Sequence, residues 1–240
     1  MRILDQLIST LTVEASVKDI RQGPFQTAVL ARGCGLASTP HEAGPHQDKS
    51  PVKEAGGLIG KTAVELTQMA YSESALEAAI GMATINSLLE IDERHCVEVN
   101  AGDLLAEKGR GKRVALVGHF PFVPKLRSCA KELWVIERQP QQRDFVEDKA
   151  NNFIPQADVV GITGMAFTNH TIEHLLGLCR KDAYVIVLGP TTPLSPVLFE
   201  YRVDAVSGVR VIEPDSVLLS VSQGATFRQI KGIRLLTVQR

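Results

Sequence analysis

VALVGHFPFVPKLR, from Val114 to Arg127, is the stretch that decides the fold class of this chain. Its apolar run ends at Gly118, which is typical of a buried strand that turns sharply into a loop. In a dinucleotide-binding unit more glycines would follow, but His119, Pro121 and Pro124 stand in the loop instead. The loop therefore has few backbone amides for a pyrophosphate, and the pattern disfavours an ordinary NAD site.

Four more apolar segments follow the same pattern downstream, with helical stretches between most of them: ELWVIE, DVVGITG, YVIVLG and AVSGVRV. Continuous apolar runs indicate strands covered on both faces, and alternation with helices indicates a doubly wound, mostly parallel, Rossmann-like sheet. This pattern starts after the glycines near Gly109 to Gly111. The sequence therefore predicts a smaller α+β domain over residues 1–109 and a Rossmann-like α/β domain over 110–240.

The first half of the chain shows other patterns. An amphipathic helix is predicted at the start, then a hairpin formed by SVKDIRQG and QTAVLA, whose second strand continues into CGLAS. Two helices follow, with capping residues at Thr62 and Ser74. The second, SALEAAIGMATINSLLE, is apolar on nearly all sides, so we expect it to be buried, with another backbone close to Gly81.

Composition limits the classes of partner. The 26 basic and 27 acidic residues leave no excess of charge for a nucleic acid or an anionic membrane, and no apolar run has the length of a membrane span. The N-terminus has no signal-peptide pattern, and the four cysteines form no CxxC pair. We therefore expect a cytoplasmic protein with a small-molecule or metal ligand. A symmetric homodimer is the default if it oligomerises.

The candidate site follows from the predicted topology, because ligands of open parallel sheets bind beyond the carboxyl ends of the strands. The residues at and after these ends are the candidate ligand-binding residues: Gly118, His119, Phe120, Glu137, Gly164, Thr168, Asn169, Gly189, Thr191, Thr192 and Ser195.

Several of these positions have both a functional and a structural interpretation. His119 is a candidate metal ligand or proton donor and acceptor, or else it caps the next helix or forms a hydrogen bond within the loop. Glu137 stands where a ribose-binding acid would lie, although a solvated acid at a strand end is common. Thr168 and Asn169 suit an anion site or a helix cap equally well. The segment GPTTPLSP, rich in proline and hydroxyl groups, is predicted to line a pocket, and Ser195 lacks the sequence context of a nucleophile.

Other histidines are further candidate metal ligands. His170 and His174 have the i, i+4 spacing that places two side chains on one helix face. His41 and His46 lie with Asp48 in a long polar loop, which is predicted to bind a metal, to close as a lid, or to be a plain solvated loop.

The chain resembles a prokaryotic family labelled "putative heavy-metal chelation". The matching segments are SALEAAIGMATINSLL, GHFPF, PQADVVGITGMAFTNHTIEHLL and GPTTPLSPVLF. The resemblance implies an N-terminal domain like that of enolase, a Rossmann-like C-terminal domain and an active site in the cleft between them. The ligand it implies is a divalent transition metal or heavy metal.

Three functions follow as hypotheses. The leading one is chelation of a heavy metal, or handling of a metallated small molecule, in an interdomain cleft under GHFPF and GPTTPLSP. The alternatives are a non-catalytic module that binds a small anion or metabolite, and an enzyme that uses an adenosine-containing cofactor through Glu137. The sequence identifies no catalytic residue, so it leaves open whether the protein is an enzyme.

Overall fold

The computed structural model describes residues 1–12, 14–40 and 52–240. The helices in these ranges are α1 (Arg2–Ser9), α2 (Ala63–Thr67), α3 (Ala75–Leu88), α4 (Ala101–Gly109), α5 (Val123–Cys129), α6 (Ala150–Phe153), α7 (Met165–Thr168), α8 (Ile172–Leu178) and α9 (Pro214–Ser222). The strands are β1 (Asp19–Gln22), β2 (Gln26–Leu30), β3 (Cys34–Ser38), β4 (Cys96–Val97), β5 (Arg113–Val117), β6 (Glu132–Glu137), β7 (Phe145–Val146), β8 (Val159–Thr163), β9 (Tyr184–Leu188), β10 (Ala205–Val211) and β11 (Ile233–Gln239). None of these helices has both the length and the apolarity that a membrane crossing requires.

The larger sheet has eight strands in the order β4-β11-β10-β9-β8-β5-β6-β7. The six strands from β10 to β7 run parallel, and β11 and β4 are antiparallel to their neighbours. Val114, Ala115 and Leu116 of β5 have no solvent exposure, because helices cover both faces of this central strand. The predicted α/β class with a mostly parallel sheet is confirmed.

The smaller sheet has three antiparallel strands in the order β1-β2-β3. The prediction that CGLAS continues the second strand of a hairpin is wrong. The chain turns at Arg32 and Gly33, where the amide of Ala31 donates to the carbonyl of Gly33, and CGLAS returns as β3.

Helix α3 packs against β2 and β3 and is buried over most of its surface, as its composition predicts. A Cβ atom at Gly81 would lie 2.1 Å from the backbone nitrogen of Ala70. A Cβ atom at Gly35 of β3 would lie 2.1 Å from the carbonyl oxygen of Ala83. Glycine at these positions lets two backbone segments approach α3, so the expectation for Gly81 is confirmed.

Strand β4 and helix α4 pack with the larger sheet. β4 pairs with β11, and α4 contacts α5, β8 and β9. These elements precede residue 110, where the sequence pattern changes, so part of the first half of the chain contributes to the larger sheet. The division of the chain into domains at 109/110 stays a prediction.

The order of the strands creates a topological switch point between β5 and β8. From β5 the chain proceeds outward through β6 and β7, and then returns to the other side of β5 to form β8, β9 and β10. The connections that leave β5 and β8 therefore diverge, which opens a crevice at the carboxyl ends of these strands.

The amino ends of the same two strands are held together at the opposite edge. Asp158, just before β8, accepts hydrogen bonds from the backbone and the guanidinium group of Arg113. The Arg113 side chain, assisted by Arg180, lowers the pKa of Asp158 to about 2. This ion pair fixes the register of β5 against β8 at the end remote from the crevice.

Candidate functional site

A cavity of about 410 Å³ lies at the carboxyl ends of β5, β6, β8 and β9. Its lining includes eight of the candidate residues chosen from the sequence: Gly118, His119, Phe120, Glu137, Gly164, Asn169, Gly189 and Thr191. Ser38, at the end of β3, lines it as well, and the backbone amide of Ser38 donates to the hydroxyl of Thr191 at 2.9 Å. The smaller sheet thus contributes Ser38 to the lining of the cavity.

Three candidate residues, Thr168, Thr192 and Ser195, do not line this cavity. They are at most 4% exposed. The Thr168 hydroxyl donates to the carbonyl of Met165 at 2.8 Å, and the Ser195 hydroxyl accepts from the amide of Val197 at 3.4 Å. These two hydroxyl groups stabilise local backbone instead of facing the cavity.

His119 is held by a buried carboxylate. Its Nδ1 atom lies 2.7 Å from Oδ2 of Asp144, whose side chain has no solvent exposure. Within the described residues Nε2 of His119 forms no hydrogen bond, and the ring is one quarter exposed beside the cavity. His119 therefore has one ring nitrogen fixed by the protein and the other available to a ligand.

The position of Asp144 depends on a turn before the edge strand β7. Its Oδ2 atom also accepts from the amide of Gln141 at 3.0 Å, and its own amide donates to the carbonyl of Gln141. Arg143 adopts a left-handed conformation with φ of 74°, which is uncommon for a residue other than glycine. Sequence reasoning missed Asp144, because its contact with His119 spans 25 residues.

The carboxylate of Glu137 binds main-chain amides, one of which belongs to the loop after β5. One carboxylate oxygen accepts from the amide of His119 at 2.8 Å, and the other accepts from the amide of Arg138 at 2.8 Å. Glu137 ends β6 and lines the cavity, as expected from the sequence, but both of its oxygens are engaged by main-chain amides. A ribose hydroxyl at this position would have to share them.

The interpretation of His170 and His174 as a pair on one helix face is wrong. His170 precedes α8 and has a left-handed φ of 59°, so the helical spacing does not apply to it. Its Nε2 atom lies 2.8 Å from the carbonyl oxygen of Ala70, whereas Nε2 of His174 lies 3.0 Å from Oδ1 of Asn151. Of the two histidines, His174 alone lines the cavity.

The charged side chains around the cavity are mostly acidic. Three carboxylates line it, those of Glu137, Glu147 and Asp148, against the single guanidinium of Arg138. The Arg138 side chain forms an ion pair with Glu147 at 2.7 Å. With the buried Asp144 behind His119, the electrostatic potential of the cavity is expected to favour positive charge.

Comparison with known proteins connects this fold and site to a family. Two family models match the chain, DUF4213 over residues 4–89 and DUF364 over residues 100–238, and both carry the description "Putative heavy-metal chelation". The chain belongs to this family. The resemblance noted in the sequence is thereby confirmed.

Relatives of this DUF364 chain agree in fold. An uncharacterized protein of Methanocaldococcus jannaschii is 28% identical over 183 residues, which cover 72% of this chain and 70% of that protein. Crystal structures of DUF364 proteins with unknown function, from Desulfitobacterium hafniense and Pyrococcus horikoshii, each give a TM-score of 0.85 over all of this chain. They share 24% and 21% sequence identity with it, and the match covers 97% and 98% of their chains. At this level of identity the likeness shows the fold alone.

The description of the DUF364 family names a heavy metal, and a bound metal ion would need ligands among the side chains of the protein. In residues 1–12, 14–40 and 52–240, no group of three or more His, Cys, Asp or Glu side chains could hold a metal ion. A protein site for a bare ion needs about four donors when the ion is tetrahedral, so these residues do not enclose one by themselves. His41, His46 and Asp48 lie outside the described residues. Among the described residues, the site thus contains the well-oriented imidazole of His119 and no set of three chelating side chains.

Proposed function

We propose that this protein binds a metallated small molecule in the cavity between β5 and β8, with Nε2 of His119 as its ligand to the metal. The observation that carries the proposal is the orientation of His119. Asp144 holds Nδ1, and Nε2 has no hydrogen-bond partner among the described residues. A metal-ligating imidazole commonly has this arrangement, in which a carboxylate accepts from the second ring nitrogen.

A metal bound to a small molecule fits the donor set better than a free ion. Because the described residues offer no cluster of three donors, the remaining coordination positions would be filled by the atoms of an organic ligand. The cavity, at about 410 Å³, falls within the range of roughly 300–1,000 Å³ that is usual for small-molecule sites. Phe120 contributes an apolar wall, and its ring stacks on Phe122 at 5.1 Å.

The charge of the cavity supports a ligand with positive charge at its centre. A small free anion, the alternative ligand, would meet three lining carboxylates and a guanidinium that Glu147 already neutralises. Met165, the first residue of α7, also lines the cavity, and its thioether suits a soft metal. These features favour a metallated molecule over a small anion.

The experiment uses a probe that imitates a partly coordinated metal. Copper(II)–iminodiacetate leaves coordination positions open for an imidazole, so metal-free protein would be titrated with this complex, with free copper(II) and with free iminodiacetate. We expect stoichiometric binding of the complex that His119→Ala abolishes. His174→Ala serves as the matched control inside the cavity, and the exposed His95→Ala as the control for surface binding.

Other outcomes would redirect the proposal. Binding that is lost only in a His41→Ala/His46→Ala double variant would move the metal site to the long loop. Binding unchanged by any of these substitutions would remove the basis for a metal ligand in the cavity. Small anions and nucleotides would then be the next ligands to screen, by their effect on the melting temperature.

A further inference from the structure

We infer that Asp144 is a positioning residue that fixes the tautomer of His119, and that this tautomer selects the class of ligand. An ionised carboxylate only accepts hydrogen bonds, so a neutral His119 must carry its proton on Nδ1 to bond with Asp144. Nε2 then presents a lone pair to the cavity. In this neutral tautomer the site suits an electron-pair acceptor, such as a metal with an open coordination position, and Nε2 offers no N–H donor to an anion.

The burial of Asp144 makes this control of the tautomer strong. Its side chain has no solvent exposure, so water does not compete for the bond to Nδ1. Its Oδ2 atom is bonded to His119 and to the amide of Gln141, whereas Oδ1 is buried with no partner in the described parts of the chain. An unsatisfied oxygen on a buried carboxylate opposes folding, and a role in holding His119 gives a reason for the burial of Asp144.

The backbone around Asp144 points to the same conclusion. Arg143 is held at a φ of 74°, and strained residues of this kind cluster at functional sites. Asp144 directly precedes β7, which pairs with β6 so that Phe145 lies opposite Ile136. Two carboxylates, one at the end of β6 and one just before β7, therefore hold His119: Glu137 through the main-chain amide and Asp144 through the ring.

The first test reads the tautomer directly and needs no ligand. In protein labelled with nitrogen-15 at the histidines, two-bond proton–nitrogen correlation spectra distinguish a protonated ring nitrogen from an unprotonated one. The signals of His119 are assigned by their absence in His119→Gln. We expect Nδ1 protonated and Nε2 unprotonated in the unmodified protein.

Variants then test the cause of this tautomer. In Asp144→Asn, which keeps the shape of the side chain, we expect a mixture of tautomers, because the amide both donates and accepts. Glu147→Gln alters an acid that lines the cavity and pairs with Arg138, so it should leave the spectrum unchanged. A proton on Nε2 in the unmodified protein, or a tautomer unaffected by Asp144→Asn, would overturn the inference.

The second test links the tautomer to binding, and this step rests on the proposed function. The affinity for copper(II)–iminodiacetate should fall about 10- to 100-fold in Asp144→Asn, as for other carboxylates that support a metal-bound histidine. Undiminished, His119-dependent binding in this variant would refute the role of Asp144 in ligand choice. If the complex fails to bind the unmodified protein while the tautomer depends on Asp144, the proposed function fails and the assignment of Asp144 as the positioning residue stands.

Discussion

The loop after β5 and the loop after β9 lie at the same edge of the sheet but use their polar side chains in opposite ways. In the first, residues 118–122, the imidazole of His119 lies beside the cavity with Nε2 unengaged. In the second, residues 189–195, the hydroxyl groups of Thr191, Thr192 and Ser195 belong to residues that are at most 4% exposed. The loop after β9 therefore has more polar side chains than the loop after β5, but its hydroxyl groups are buried, whereas Nε2 of His119 is available to a ligand.

The difference lies in what each loop packs against. The loop after β9 lies between the end of β8 and the smaller sheet. Thr191 accepts a hydrogen bond from the amide of Ser38. The side-chain amide of Asn86 donates to the carbonyl of Leu36 in the smaller sheet and to the carbonyls of Pro190 and Thr191 in the loop. The loop after β5 packs through Phe122 against α4, and its residue His119 is held by Glu137 and Asp144. The hydroxyl of Thr191 is used to join the loop after β9 to the smaller sheet, whereas the support of His119 engages its main-chain amide and Nδ1 and leaves Nε2 for a ligand.

The largest expected effect tests how tightly the loop after β9 is packed. A Cβ atom at Gly164 would lie 2.6 Å from the backbone nitrogen of Thr192 and 3.0 Å from the carbonyl carbon of Thr191. Since backbone atoms cannot yield as a side chain does, we expect Gly164→Ala to lower the free energy of unfolding by about 2–3 kcal/mol, measured by urea denaturation. Gly177→Ala in α8 is the matched control, because beyond the backbone of its own helix no heavy atom lies within 4 Å of the added methyl group. Equal stability of the two variants would mean that the loop is loosely packed.

A smaller loss of stability is expected when the hydrogen bond between the loop after β9 and the smaller sheet is removed. Thr191→Val removes the acceptor for the amide of Ser38 but keeps the shape of the side chain. The part-buried amide would lose its partner, so we expect a loss of about 1–2 kcal/mol in the free energy of unfolding. No loss in thermal or urea denaturation would show that water replaces the hydroxyl, and that this group is closer to the solvent of the cavity than its burial suggests.

The smallest expected effect is a gain in stability instead of a loss. The hydroxyl oxygen of Thr192 is buried with no hydrogen-bond partner in the described residues. Thr192→Val replaces it with a methyl group of similar size, so we expect stability to be unchanged or raised by up to about 1 kcal/mol. Thr191→Val, measured in the same denaturation series, is the matched comparison, because it removes a hydroxyl that does form a hydrogen bond. A clear destabilisation by Thr192→Val would reveal an additional partner for this hydroxyl.

Much of the fold could be predicted from the sequence because its strands are strongly marked. The central strands β5, β6, β8, β9 and β10 coincide with continuous apolar runs, and α3 with a run that is apolar on all sides. The two-residue strands β4 and β7 are too short for periodicity to detect. The alternating segment at β11 was missed, although its antiparallel pairing with β10 extends over seven residues.

The candidate site was predictable in part for a topological reason. The rule that ligands bind at the carboxyl ends of parallel strands located His119 and the lining glycines, because it needs only the positions of the strands. It could not locate Asp144, whose contact depends on how the chain after β6 returns to form β7. Nor could spacing reveal that His170 leaves the helical path, since its left-handed conformation is set by the turn between α7 and α8.

The edge strand β7 has a consequence for how this fold can be altered. Outer strands and the loops before them are where insertions, deletions and engineered junctions are ordinarily tolerated. Here the two-residue strand β7 directly follows Asp144, the carboxylate that holds the ring of His119. Shortening residues 138–146, or fusing another protein at this point, would remove that support while leaving every residue of the central strands in place. For the support of His119, the edge of the sheet at β7 therefore matters as much as the central strands.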